Sequence, residues 1–356
     1  MQTADRVGTR PDSWLRQAST RTPLRRVTAR TGGRSSSGWL KLEMANPTGS
    51  VKFRTALSLL GTLDRAEPLV PGGTIVESTS GNLGLALAHL SSELGFRYVA
   101  VVDPKLPSAT RHAMEAAGAE IVTVTVPDEQ GGYLLARLRT VGELCAGSPT
   151  ARWANQYGSP ANPLVHREVT GPELVDQTGG RLDLVAVAVS TGGTLAGIGD
   201  CVRRAVPAAR ILAVDVAGSL ATSGSAGEPY LLTGIGATRR SFFLRPRHYD
   251  RIVHVRDIDA IAACRMLEQD TGLALGGSAG AVLAACLPEL AGRSGPPPRL
   301  PVMLCPDGGA KYADTLYDDL WLDLRGSLGA VRAAMAEARG RGLRFDLDPA
   351  VDHVAD

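Results

Sequence analysis

A chain of 356 residues with 44% apolar and 21% charged side chains has the make-up of a globular protein and the length for two domains or one large one. Its formal net charge of +2 and its scattered arginines exclude the basic, aromatic-interleaved surface of a nucleic-acid binder and any strong pull toward a membrane. No apolar run reaches transmembrane length and the N-terminus carries no hydrophobic signal core, so a cytoplasmic protein is expected.

Residues 1–13 are polar and unpatterned and read as a flexible tail. "TIVES" (74–78) is a short β-rich run, and the helix that follows Gly81 carries Leu83, Ala86, Leu87, Leu90 and Leu94 at helical spacing. His89, on that apolar helix, reads as a packed residue. "YVAVVD" (98–103) predicts a strand, 108–118 a helix, "EIVTVTV" (120–126) a strand, and a further helix starts near Tyr133. "LDLVAVAV" (182–189) is continuously apolar, the pattern of a parallel strand buried on both faces. A Gly-rich turn and a helix with Leu195, Ile198, Val202 and Ala205 on one side come next. "RILAVDV" (210–216), "RIVHV" (251–255) and "LPVMLC" (300–305) supply further strands, and the Ala/Arg pattern of 329–341 predicts a helix that could pack on a partner subunit. Strands alternating with helices in two sets argue for an α/β protein with parallel sheets. The five cysteines are far apart with no C-x-x-C pair, and the six histidines form no metal-spaced pair. Reduced thiols, no disulfide frame and no metal site are therefore expected.

Four turns rich in Gly, Ser or Thr open helices: "NPTGS" (46–50), "STSGN" (78–82), "STGGT" (190–194) and "GGSAG" (276–280). A helix start offers unpaired backbone N–H groups and a positive dipole end, and glycine lets an anion approach them closely. Any one of these turns is explained as a tight corner. Together they point to an anionic ligand where two sheets meet. Lys52, straight after "NPTGSV", is one of only four lysines among 38 basic residues. A desolvated amine is a nucleophile and a guanidinium is not, so the choice of lysine here suggests covalent chemistry.

These motifs carry a specific resemblance. "NPTGSVKFR" is similar to N-P-x-x-S-V-K-D-R of the fold-type II pyridoxal-phosphate (PLP) enzymes, the cysteine synthase and cystathionine β-synthase family. "ESTSGNLG", "STGGTLAG", "GGSAGA", "PDGGAKY", "NQYGSPANP" and "TGPEL" match that family in order and spacing over roughly residues 20–320. The resemblance implies two three-layer αβα domains with mostly parallel sheets, as in the tryptophan synthase β-like fold. It divides the chain into a large PLP-binding domain (14–45 and 159–330), a small mobile substrate-carboxylate domain (46–158) and a C-terminal tail (331–356). It further implies a homodimer acting on small-molecule amino acids, with no nucleic-acid or membrane partner and no metal. Lys52 would form the Schiff base with PLP and then take the Cα proton. Thr191, Gly192, Gly193 and Thr194 would hold the PLP phosphate, Asn82 the 3′-oxygen and Ser278 the pyridine nitrogen. Thr79, Ser80, Gly81, Asn82 and Gln156 would bind the substrate carboxylate. A hydroxyl at Ser278 favours loss of a β-leaving group and an α-aminoacrylate intermediate, where a carboxylate would favour transamination or racemisation.

Departures from the cysteine synthase pattern refine this. Phe53 replaces the usual Asp, Leu83 a Thr, and Ser190 stands beside the ring where many relatives have Gly. "GGYLLAR" adds Arg137 one turn after Tyr133, and "GIGATRR" adds Gly236, Arg239 and Arg240, the last read as a solvated surface residue. With Tyr157 of "NQY" and "LYDDLW", these features resemble a subgroup that joins L-glutamate to O-phospho-L-serine for 2,3-diaminopropionate, a precursor of siderophores and peptide antibiotics. Such a nucleophile bears two carboxylates, which suits extra cations at Arg137 and Arg239 and polar groups at Tyr157 and Ser190. A sulfhydrylase acting on O-acetylserine or O-phosphoserine is the alternative. A non-catalytic amino-acid- or partner-binding homologue is a second.

Overall fold

The computed structural model describes residues 14, 17–18, 20–79, 81–128, 132–222 and 229–355. Residues 1–13, read above as a tail, and Ser80 lie outside them. In chain order the elements are β1 (Leu24–Thr31), β2 (Arg34–Leu42), α1 (Lys52–Ala66), β3 (Thr74–Ser78), α2 (Asn82–Leu94), β4 (Arg97–Val102), α3 (Ser108–Ala116), β5 (Ala119–Thr123), α4 (Leu134–Ala146), β6 (Ala151–Trp153) and α5 (Ala161–Val165). They continue with α6 (Gly171–Gln177), β7 (Leu184–Ala188), α7 (Gly193–Ala205), β8 (Arg210–Val216), β9 (Arg251–Val255), α8 (Asp257–Thr271), α9 (Gly277–Leu290), β10 (Pro301–Cys305), α10 (Asp319–Asp323), α11 (Leu328–Gly340) and β11 (Arg344–Val351).

The chain divides into two compact units. One comprises Met1–Thr20 and Lys52–Thr170, the other Arg21–Val51 and Gly171–Asp356. The first unit holds an all-parallel sheet in the order β5-β4-β3-β6. Strand residues alternate between its two faces. Ile75, Tyr98 and Ala100 join Leu57, Leu60, Leu83 and Leu87 of α1 and α2 in one core. Val76, Val99 and Val101 meet Val141 of α4 in another. His89 differs from its expected packing: it is half-exposed on α2, 3.3 Å from Glu93, because it stands off the stripe that faces the sheet.

The second unit holds a seven-stranded sheet in the order β11-β1-β2-β10-β7-β8-β9. Strands β2, β10, β7, β8 and β9 run parallel, while β1 pairs antiparallel with both β2 and β11. Strand β7 shows the two-sided burial expected of "LDLVAVAV". Leu184 and Ala186 enter a core with α8 and α9, while Val185 and Val187 enter one with Leu195, Ile198 and Val202 of α7. Each unit is therefore a three-layer αβα sandwich, the expected fold class.

The C-terminal segment is not a tail. Helix α11 buries Val331 against the α8–α9 core, and β11 pairs with β1 with Phe345 opposite Ala29. An edge strand with unpaired backbone groups is costly, and β11 covers that of β1. The units also change over at 51/52 and 170/171, where the sequence suggested 45/46 and 158/159. Residues 46–51 stay with the large sheet because the Val51 N–H donates to Pro306 O at 2.8 Å. Helix α5 belongs with α1 because Ser58 Oγ donates to Ala161 O at 2.8 Å.

Candidate functional site

In the first unit, Lys52 is the first residue of α1 and is half-buried. The turn before it is fixed from behind. Asn46 Nδ2 donates to Glu43 O at 2.8 Å and Glu43 Oε2 at 2.9 Å, and Gly49, at φ +70°, closes a turn by donating to Asn46 O. Buried His166 lies across α1, its ring between Thr55 Oγ1 at 3.2 Å and Thr170 Oγ1 at 3.0 Å. Burial, and then the charges of Lys52 and Arg54, hold its pKa well below the usual imidazole range. It is neutral near pH 7 and makes no rival cation for the lysine.

Strand β3 ends at Ser78 and α2 starts at Asn82, as a βα turn should in a parallel sheet. Gly81 sits at φ +151°, open only to glycine. Thr79 was expected to bind the substrate carboxylate; its Oγ1 accepts the Gly81 N–H at 3.2 Å and the Gly84 N–H at 2.9 Å. It acts as a helix cap, leaving only its O–H to offer. Gln156 is buried and tied on three sides: its N–H donates to Glu77 Oε2 at 2.9 Å, its Nε2 donates to Ser78 O at 2.7 Å, and its carbonyl accepts Asn162 Nδ2 at 2.8 Å. Arg137, expected to meet the second substrate, is 5% exposed, donates to Thr79 O at 2.6 Å and lies 3.4 Å from Asp103. A guanidinium committed in this way braces the loop from behind. Tyr157 is half-buried on the segment after Gln156.

In the second unit, β7 runs into Ser190 and a turn that opens α7. Gly192 caps the helix at φ +87°, and a Cβ there would lie 2.1 Å from Ser241 Oγ. Thr191 and Thr194 are buried on either side, and Thr191 O accepts Ser241 Oγ at 2.6 Å. The Gly236 N–H donates to Val189 O at 2.8 Å, so the 234–241 loop runs alongside the turn and carries half-buried Arg239 with it. Arg240 is exposed, as expected.

Ser278 is buried in the first turn of α9. Gly276 before it donates to Asp307 O at 3.1 Å, Leu275 bridges Gly308, and Ser50 bridges Asp307. Tyr312 Oη donates to Asp307 Oδ2 at 2.6 Å. The end of β10 thus holds both the 46–51 loop and the Ser278 turn. "PDGGAKY" carried no role in the sequence reading beyond its match; Asp307 and Tyr312 are what that motif supplies. Glu77 and Glu173 stand in "ESTSGNLG" and "TGPEL", and a match to those motifs does not by itself imply a role for either.

Each of these groups suits one part of a phosphorylated aldehyde: the first unit offers the Lys52 amine at a helix start, and the second offers the glycine turn that opens α7 and the Ser278 hydroxyl in the first turn of α9. Among the described residues no cluster of His, Cys, Asp and Glu could hold a metal ion, and no helix is long and apolar enough to cross a membrane.

Comparison with known proteins agrees. The family model for pyridoxal-phosphate dependent enzymes matches residues 15–305. The chain belongs to that family: it is a PLP-dependent enzyme. Among curated proteins it is 40% identical, over 85% of this chain and 88% of the other, to an N-(2-amino-2-carboxyethyl)-L-glutamate synthase of Ralstonia nicotianae. A synthase of the same name from Cupriavidus metallidurans is 37% identical over 85% of this chain and 88% of its own. Among solved structures, an O-ureido-L-serine synthase superposes with a TM-score of 0.76 at 32% identity, covering 87% of this chain and 98% of that one. A hydrogen sulfide-producing enzyme of Fusobacterium nucleatum has a TM-score of 0.76 at 26% identity, covering 86% of this chain and 91% of its own.

Proposed function

We propose that this enzyme replaces the β-substituent of O-phospho-L-serine with the amine of L-glutamate, giving N-(2-amino-2-carboxyethyl)-L-glutamate as a precursor of 2,3-diaminopropionate. The observation that carries this reading is the 40% identity to the Ralstonia synthase along nearly its whole length. In this reading Lys52 holds PLP covalently and its freed Nζ takes the Cα proton. Thr191, Gly192, Gly193 and Thr194 bind the cofactor phosphate, Ser278 meets the ring nitrogen, and Asn82 meets the ring oxygen. Bound PLP supplies an electron sink for the charge that develops at Cα. Thr79 through its O–H, Ser80, Gly81, Asn82 and the Gln156 amide bind the substrate carboxylate. Arg239, Tyr157, Ser190 and the Gly236 loop receive glutamate, while Arg137 acts only by bracing Thr79.

The deciding assay supplies O-phospho-L-serine with either glutamate or sulfide and identifies products by mass spectrometry. The glutamate adduct is expected. Efficient cysteine formation with no adduct would hand the reading to a sulfhydrylase. We further infer a cytoplasmic homodimer. A sedimentation mass near 37.2 kDa would refute the dimer.

Gly192→Ala tests the phosphate turn. A Cβ at φ +87° is strained, and Ser241 Oγ at 2.1 Å and Leu244 Cγ at 2.9 Å both stand in its way. Strain of about 1–3 kcal/mol at the turn corresponds to a roughly tenfold or greater loss of cofactor affinity. PLP content after dialysis reads this directly, and full retention would place the phosphate elsewhere.

A further inference from the structure

Glu77 stands out as a carboxyl for which the proposed reaction has no use. It is fully buried at the end of β3. Its Oε2 accepts the Gln156 N–H at 2.9 Å, and Gln156 Nε2 returns to Ser78 O at 2.7 Å, closing a two-way clasp between β3 and residues 154–156. Asn155, within that segment, sits at φ +56°, a left-handed conformation that asparagine tolerates better than most residues. Glu77's other oxygen is buried without a hydrogen bond of ordinary geometry, and the Trp153 indole N–H nearby helps to lower the carboxyl's pKa.

A glutamine at 77 could accept the same N–H, so the clasp alone does not call for an acid. Arg137 of α4 faces the carboxyl and also donates to Thr79 O, linking Glu77 to the loop proposed to take the substrate carboxylate. Asp103, at 3.4 Å, already neutralises that guanidinium. Tyr98 of β4 and Cys145 of α4 also face Glu77, whose charge adds to burial in raising both of their pKa values. An ionised Glu77 therefore leaves the buried Glu77–Asp103–Arg137 set net negative, and a protonated one leaves it neutral.

We propose that Glu77 is a positioning residue for the amino-acid substrate: its clasp sets the 78–82 loop, and its charge state sets how well that loop accepts a carboxylate. The inference rests on the assignment of this loop to the substrate carboxylate. Burial pushes the Glu77 pKa up to about 7, only partly offset by the N–H groups of Gln156 and Ser78, so the change falls in the working pH range. A substrate carboxylate favours the neutral acid, and by linkage substrate binding draws a proton onto Glu77 near pH 7.

The test uses holoenzyme and O-methyl-L-serine, which carries the carboxylate but no titrating side chain, and follows the cofactor's visible absorbance from pH 6 to 8.5. Relative to Glu77→Gln, which keeps the acceptor for Gln156, wild-type affinity should fall about tenfold across that range, the effect of a one-unit pKa rise on binding. Parallel profiles for the two proteins overturn the proposal. Calorimetry of the wild type in buffers of different protonation enthalpy should show proton uptake greatest near pH 7, and no uptake overturns it even where the variant folds poorly. Gln156→Ala is measured alongside. If it leaves affinity unchanged, the loop assignment fails and takes this inference with it; if it weakens binding while the Glu77 profiles stay parallel, only this inference fails.

Discussion

Lys52→Ala is expected to abolish covalent attachment of PLP and to reduce turnover by at least about a thousandfold, the scale of losing both a covalent anchor and a general base. No other residue proposed for the site carries an amine. The change should do little to the fold. Lys52 is half-buried at the start of α1, where alanine is a good helix former, so unfolding free energy should move by no more than about 1 kcal/mol. Borohydride reduction followed by peptide mapping gives the cleanest readout: label on Lys52 in the wild type, none in the variant, with thermal unfolding little changed. A variant that still takes the label places the anchor on another lysine, and Lys311 would be the next to examine. Lys311 lies in the second unit, 3.9 Å from Asp307, with its pKa lowered by burial.

The parts of this molecule legible in the sequence are those where local chemistry leaves no choice. A strand buried on both faces must be continuously apolar, and "LDLVAVAV" announced β7. A backbone turning from strand into helix around an anion needs glycine and hydroxyl residues, so the segments around Gly81, Gly192 and Ser278 could be recognised at once. Strands β1, β2, β6 and β11 were not seen. "LRRVTART" scatters arginine and threonine over a half-buried strand, and its partner Arg344–Val351 lies some three hundred residues away in sequence, so the pairing leaves no local trace. Charged residues misled for a different reason. Sequence does not reveal burial, and a cation with no visible partner reads as surface or as ligand-binding. Arg137 was read as a contact for a carboxylate substrate, and it proves to be buried against Thr79 O and Asp103. The groups that hold the motifs in place, Glu77, Asp307 and Lys41, escaped for the same reason.

Lys41 is the most demanding of these, and its replacement should have the largest effect on stability. It is fully buried in β2, where its ammonium donates to Thr22 O at 2.5 Å, to Gln177 Oε1 at 2.8 Å and to the Glu173 carboxylate. Glu173 also accepts the Thr22 N–H at 2.9 Å, while the Thr22 hydroxyl donates to Glu43 Oε1 at 2.8 Å and Glu43 holds Asn46. The network thus runs from the middle of the large unit to the turn that precedes Lys52. Lys41→Met keeps most of the side-chain volume and removes the charge. Taking one member from a buried ion pair costs about 3–5 kcal/mol, because the remaining carboxylate has lost the cation that offset its desolvation. For a chain of this size that corresponds to a fall in Tm of about 4–7 °C. Replacing both partners removes the stranded charge, so Lys41→Met with Glu173→Gln should recover a large part of the loss. Differential scanning calorimetry of the two variants separates the cases. A single variant that melts with the wild type would mean that the lysine contributes no net stabilisation. A double variant no better than the single would mean that the loss came from packing and from the neutral acceptors Thr22 O and Gln177 rather than from the charge on Glu173.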